Sequence, residues 1–193
     1  EDTALSTWAG SANITTVGTL SSGDADAAVS ASSTTTPGKI EVATITETNT
    51  GTDAARAVSP DGLAGSVHGI RYFQLVAFDY TTDTATGDGA GYLHIPPGAN
   101  GMDLVYVHAL AVTAGTTGTT DVQLYNLTQT ADMLSTVLTI DSAETGSDTA
   151  ATPAVIDTLN DDVATNDVIR VDVDAVSTTP AKGLIVTMGF QLP

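Results

Sequence analysis

His68, His94 and His108 are the natural general bases of this chain, because imidazole is the side chain that exchanges protons near neutral pH. A catalytic histidine also needs a nucleophile and an orienting acid within hydrogen-bond reach. The three stand far apart, only His94 and His108 fall on strands expected to be neighbours, and no G-x-S-x-G elbow accompanies them. They read as half-buried sheet histidines with one hydrogen bond each. The chain has no cysteine, which removes disulfides, thiolate zinc sites and cysteine nucleophiles.

Carboxylates offer a second chemistry. Asp161, Asp162 and Asp167 surround one turn, and Asp83 and Asp88 flank another, so either loop has the oxygen ligands that Ca2+ takes. Neither follows the D-x-D-x-D-G spacing of an EF-hand, and the competing reading is turn and cap chemistry. Paired carboxylates also suit a glycosidase, but that needs an aromatic platform, and aromatics make up only 5% of the chain. Tyr72, Phe73, Phe78, Tyr80, Tyr92, Tyr106 and Tyr125 are spread over predicted strands and read mainly as core. Trp8 differs, being alone among small residues with no local core to enter; it is the candidate anchor on a partner. Asn13-Ile14-Thr15 and Asn126-Leu127-Thr128 match the glycosylation acceptor pattern and read as chance matches.

The charge is one-sided. Among 193 residues, 23 are acidic and 5 basic, for a net charge of −18. Such a surface repels phosphate, and Lys39, Arg56, Arg71, Arg170 and Lys182 are too scattered to form a basic patch. Nucleic acid and anionic membranes are therefore not expected partners. No stretch approaches the roughly 18 apolar residues of a spanning helix. Glu stands only at positions 1, 41, 47 and 144, so the acid is nearly all Asp, and Thr fills about one position in six. Asp and Thr favour turns, caps and strands, while the Glu and Lys of a solvated helix are scarce; the chain should be mostly β. An acidic, lysine-poor surface suits saline water, where its repulsion is screened over about 10 Å or less.

The elements that must position these residues change in texture along the chain. Residues 1–68 are expected to form an extended arm with short strands at Ile14–Leu20 and Lys39–Thr48, joined by the low-complexity connector Ser21–Pro37. A turn is expected at Ser59-Pro60-Asp61-Gly62. Residues 69–193 are expected to form a domain of about eight short antiparallel strands: Ile70–Tyr80, Gly91–Ile95, Met102–Thr113, Asp121–Asn126, Val137–Ile140, Ala154–Thr158, Asp167–Val176 and Gly183–Leu192. Single helical turns are expected at Thr130–Leu134 and at Asp161–Ala164, the latter capped by Asn160. Alternation in the seventh strand places Val168, Arg170, Asp172 and Asp174 on a wet face opposite Ile169, Val171, Val173 and Ala175. In the third, Leu104, Tyr106, His108, Leu110 and Val112 oppose Val105, Val107, Ala109 and Ala111. The fold class is an all-β antiparallel sandwich.

From about Gly87 onward several pieces recur in a familiar order: Ile95-Pro96, Asn100-Gly101-Met102, TTDVQ at Thr119–Gln123, DMLST at Asp132–Thr136, and the block Thr152–Val176. This part, a little over half of the chain, resembles a family of small tailed-bacteriophage virion proteins used as head decoration, head fibre or tail-associated modules. The resemblance implies a jelly-roll-like sandwich on the exterior of a virion, a capsid decoration (cement) role without enzymatic activity, the major capsid protein or other virion subunits as partners, and a homo-oligomer, by analogy a trimer. The other expected class is a receptor- or carbohydrate-binding module of a tail fibre, which would display Tyr92 or Tyr125 in loops at one end of the sandwich. Residues before Gly69 carry no part of the resemblance.

Overall fold

The structure, a computed structural model, describes residues 40–193. Trp8, Asn13, Lys39, the strand expected at Ile14–Leu20 and the connector Ser21–Pro37 lie outside the described residues. Contacts divide the chain into two compact units, Glu1–Glu41 with Ala55–Ala57 and Val42–Ala54 with Val58–Pro193. The elements below belong to the second unit.

Its first elements are helical, which corrects the expectation of a strand over Lys39–Thr48 and of an extended chain up to position 68. Helix α1 spans Ile45–Thr50 and α2 spans Pro60–Ala64. The alternation of Ile40, Val42 and Ile45 is overridden by a capping box. The Glu47 backbone N–H donates to Thr44 Oγ1 at 3.3 Å, and the Thr44 N–H donates back to the Glu47 carboxylate at 3.0 Å. Gly51, at φ 66°, closes the helix. Ser59 caps α2 through the Gly62 N–H and Pro60 takes its first turn, so the expected turn becomes a helix start. Gln191 Nε2 ties this segment to the last strand, donating to the carbonyls of Ala64 and Ser66 at 2.9 and 2.6 Å.

From there on the chain is all-β and antiparallel. The strands are β1 Arg71–Val76, β2 Gly87–His94, β3 Met102–Thr113, β4 Thr120–Asn126, β5 Ala131–Asp132, β6 Leu134–Thr136, β7 Leu138–Ile140, β8 Val155–Ile156, β9 Asp162–Val163, β10 Val168–Ala175 and β11 Lys182–Gln191. One sheet runs β1-β11-β3-β9; the other runs β2-β10-β4-β5, with β7 also paired to β4; β6 and β8 form a small ribbon. The long strands fall where alternation puts them, while the extra ones are two- and three-residue pieces. Two of these replace the expected helical turns. Residues 161–163 pair with β3, with Leu104 N–H donating to Asp161 O and Gly101 N–H to Val163 O, both at 2.8 Å. Ala131 and Asp132 pair with β4. A single helical turn fixes several dihedrals for one hydrogen bond, so a waiting strand edge wins.

The core lies between the two sheets. Leu184, Val186, Met188 and Phe190 from β11 meet Val122 and Leu124 from β4 and Ile169, Val171 and Val173 from β10, all essentially without solvent exposure. Burial of each such side chain contributes about 1.5–3 kcal/mol.

Bulges decide which residues reach this core. In β3, Leu104 lies opposite Phe190 and Tyr106 opposite Gly189, so Val105 is an extra residue. Before it, Met102 and Leu104 point inward; after it, Ala109 and Ala111 do, and Tyr106, Leu110 and Val112 face out. The uninterrupted face predicted for Leu104 through Val112 is therefore broken, because one inserted residue reverses a period of two.

Candidate functional site

The outer face of the β2-β10-β4 sheet gathers the densest set of functional side chains among the described residues. Arg170 lies at its centre, opposite Tyr92 of β2 and Tyr125 of β4 in the sheet register. Its guanidinium sits 4.8 Å from the centroid of the Tyr125 ring, within cation–π range. One terminal nitrogen donates to Asp172 Oδ2 at 2.7 Å and lies 3.2 Å from Asp88 Oδ2. The Asp172 hydrogen bond is the main cause holding the Arg170 pKa above its ordinary value.

A glycine-rich bulge builds one wall of this arrangement. Between Val171, opposite Gly91, and Val173, opposite Gly87, the β2 chain carries extra residues. Gly89 takes φ 80°, and its N–H donates to Asp172 Oδ1 at 2.9 Å. A side chain at Gly89 would collide with the Tyr92 hydroxyl. Both Asp172 oxygens thereby accept hydrogen bonds within the protein, and the residue is only 5% exposed, which corrects its placement on a wet face. Arg170 is itself mostly covered, with 19% side-chain exposure, whereas Asp174 remains exposed. Around the arginine stand more acids than it can neutralise. The Asp174 pKa is raised by burial first, then by Asp172, Asp132, Asp121 and Asp88.

Chemically this face offers a stacked cation, an exposed ring and carboxylate acceptors on a flat sheet. Tyr92 is 56% exposed, Tyr125 is half-buried beneath the guanidinium, and both sit on strands and not in end loops. The set contains no nucleophile paired with a base.

The expected calcium ligands are placed differently. Asp167 is 3% exposed, and its Oδ2 accepts from Asn126 Nδ2, Gln129 Nε2 and Ala164 N–H at 3.0–3.1 Å. It locks the loop after β4 to the loop before β10. Asp161 and Asp162 lie instead beside Asp103, whose pKa is raised by burial first and then by these two charges. Among the described residues no group of three acidic or histidine side chains is arranged to hold a metal ion. Asp83 pairs with Lys182 at 2.9 Å and Asp88 with Arg170, so these two serve different cations.

The histidines are not brought together. His94 lies on β2 and meets Asn166 Oδ1 at 3.2 Å, while His108 lies on β3 in the other sheet and meets Asp148 Oδ1 at 3.4 Å. The expected neighbourhood of their strands is thus corrected. Asn126 is wholly buried with its amide nitrogen on Asp167, so the folded chain does not present it as a glycan acceptor.

Sequence reasoning named Arg170, Tyr92 and Tyr125 separately but not as a set. The available signal was a lone arginine in a strand of alternating Asp and Val, which demands a partner for a charge entering a sheet. No family model, curated protein or solved structure matches the chain.

Proposed function

We propose that this chain is a non-enzymatic virion structural protein, a capsid decoration protein that binds the assembled head of a tailed bacteriophage from the outside. Beyond the sequence resemblance, the observation that supports this reading is where the large exposed side chains lie. Tyr72, Val76, Tyr106, Leu110 and Val112 on the outer face of one sheet, and Tyr92 on that of the other, stand 39–57% exposed. Large exposed side chains set in rows on outward sheet faces suit contact with other protein subunits, copies of this chain included.

The mechanism is mass action. A protein that binds the closed lattice and not its loose subunits stabilises the shell by its binding free energy, multiplied when several copies engage together. The major capsid protein is the proposed partner, and the N-terminal segment that carries Trp8 the proposed docking arm. With −18 charges per copy, crowding many copies on one particle requires screening, so salt strengthens attachment. Co-sedimentation of the full chain with intact heads and with dissociated capsid subunits tests this. Retention on intact heads only, weakened in dilute buffer and by Trp8→Ala, is expected. Equal binding to loose subunits, or none to heads, overturns it.

The Tyr92–Arg170–Tyr125 row favours a second reading, recognition of a carbohydrate receptor. An exposed ring stacks on a sugar face while Asp88 accepts from its hydroxyls. Glycan-array binding that is lost in Tyr92→Ala would select this reading over the first.

A further inference from the structure

We infer that the outer face of the β1-β11-β3 sheet is the interface of a two-fold homodimer. The strand register arranges its outward side chains in rows across the three strands. Tyr72, Gly189 and Tyr106 form one row, Gln74, Thr187 and His108 the next, and Val76, Ile185 and Leu110 the third, with Val112 beyond. The two tyrosines meet edge to face at 5.6 Å above Gly189, where a Cβ would have no room. Gln74 Nε2 donates to Thr187 Oγ1 at 3.3 Å. Tyr72, Val76 and Val112 are about half exposed, and Tyr106 and Leu110 nearly so. Clusters of large apolar side chains on a sheet face are ordinarily covered.

Charge selects the occupant. In a chain of net charge −18, none of these ten outward positions carries Asp, Glu, Lys or Arg, and the Asp148 carboxylate beside them lies 3.4 Å from His108 Nε2. A cationic partner would be drawn to the acidic outer face of the other sheet, and an anionic one is repelled by the whole molecule. A second copy needs a patch free of its own charge, and this face provides it.

The pattern is also self-complementary. A two-fold axis along β11, the central strand, lays β1 of one copy over β3 of the other and keeps every row on its like. Tyr72 then meets Tyr106 of the second copy, Gln74 meets His108, and Val76 meets Leu110, as an isologous contact requires. The rows span roughly 20 Å along the strands at about 3.3 Å per residue. The five large exposed side chains, at on the order of 80–100 Å² each, give each copy roughly 400–500 Å², the size of a weak, concentration-dependent interface.

Sedimentation equilibrium of the full chain tests the dimer. A two-copy mass is expected, with a dissociation constant that falls as salt rises. Val76→Asp and Leu110→Asp, at exposed positions that leave the core intact, are each expected to weaken it at least tenfold while circular dichroism stays unchanged. The cysteine-free chain allows a second readout. Thr187→Cys lies on the axis and is expected to join to its copy through a bismaleimide of about 10 Å, the spacing of packed sheets, whereas Tyr92→Cys on the opposite sheet is not. A monomer at all concentrations, a three-copy mass, a dimer indifferent to both aspartates, or equal cross-linking of the two cysteine variants overturns the inference.

Discussion

At the scale of the residue, Asp167 shows how a carboxylate with metal-ligand chemistry becomes a structural lock. Its Oδ2 takes three donors, including the amide of fully buried Asn126. Removing it leaves the buried Asn126 amide without its partner, which costs more than that hydrogen bond itself contributes. Asp167→Ala is expected to lower stability by about 2–4 kcal/mol in chemical denaturation, and Asp167→Asn, which keeps an acceptor, by clearly less. Equal losses would mean that the charge and not the hydrogen-bond geometry is what matters. Arg170 illustrates the complementary case. Its strand position was legible in the sequence, but its partners on β2 and β4 come from residues about 80 and 45 positions away and were not.

At the scale of the element, one inserted residue governs the largest strand pair. Val105 reverses the alternation of β3, so that Leu104, Ala109 and Ala111 all reach the core although their numbers differ in parity. Deleting Val105 is expected to remove the bulge and leave Leu104 facing in and Tyr106, His108 and Leu110 facing out, whereas deleting the paired Val107 brings His108 and Leu110 to the inner face, where Leu184, Val186 and Met188 leave no space. The Val107 deletion should lose its near-ultraviolet circular dichroism and cooperative unfolding while the Val105 deletion keeps both; equal loss in the two would refute the role given to the bulge. Sequence alternation located β3 to its terminal residues, since Met102–Thr113 is both the expected and the observed span. It could not locate the bulge, because a run rich in Val, Leu and Ala is apolar in either phase. The same limit applies at Lys39–Thr48, where Thr44 and Glu47 were a readable capping signal that a β reading of the composition passed over.

At the scale of the whole molecule, acidity sets the response to pH. Asp103 and Asp174 both have pKa values raised above 3.8, in each case by burial first and neighbouring carboxylates second. The folded state therefore binds protons more readily than the unfolded chain. The stabilising contribution of their protonation is fully present below the unfolded value of about 3.9 and is lost as pH rises through the folded pKa values. Acidification through the folded pKa values of these two groups should thus add to stability at constant ionic strength, and added salt at neutral pH should raise the melting temperature by screening the −18 net charge. The double variant Asp103→Asn with Asp174→Asn is expected to flatten the acid side of this profile. A profile of melting temperature against pH that the double substitution leaves unchanged would contradict it.

The sequence by itself determined the all-β antiparallel class, the place of every long strand from β1 to β11, the surplus of negative charge and the lack of thiol chemistry. These follow from composition and from a two-residue period, which are local and additive along the chain. Only the tertiary structure decided the two bulges, the short strands that replaced helical turns, the burial of Asp172 and the meeting of Tyr92, Arg170 and Tyr125. Each depends on a strand edge or a donor supplied by a segment distant in sequence, and no local pattern records which distant segment arrives.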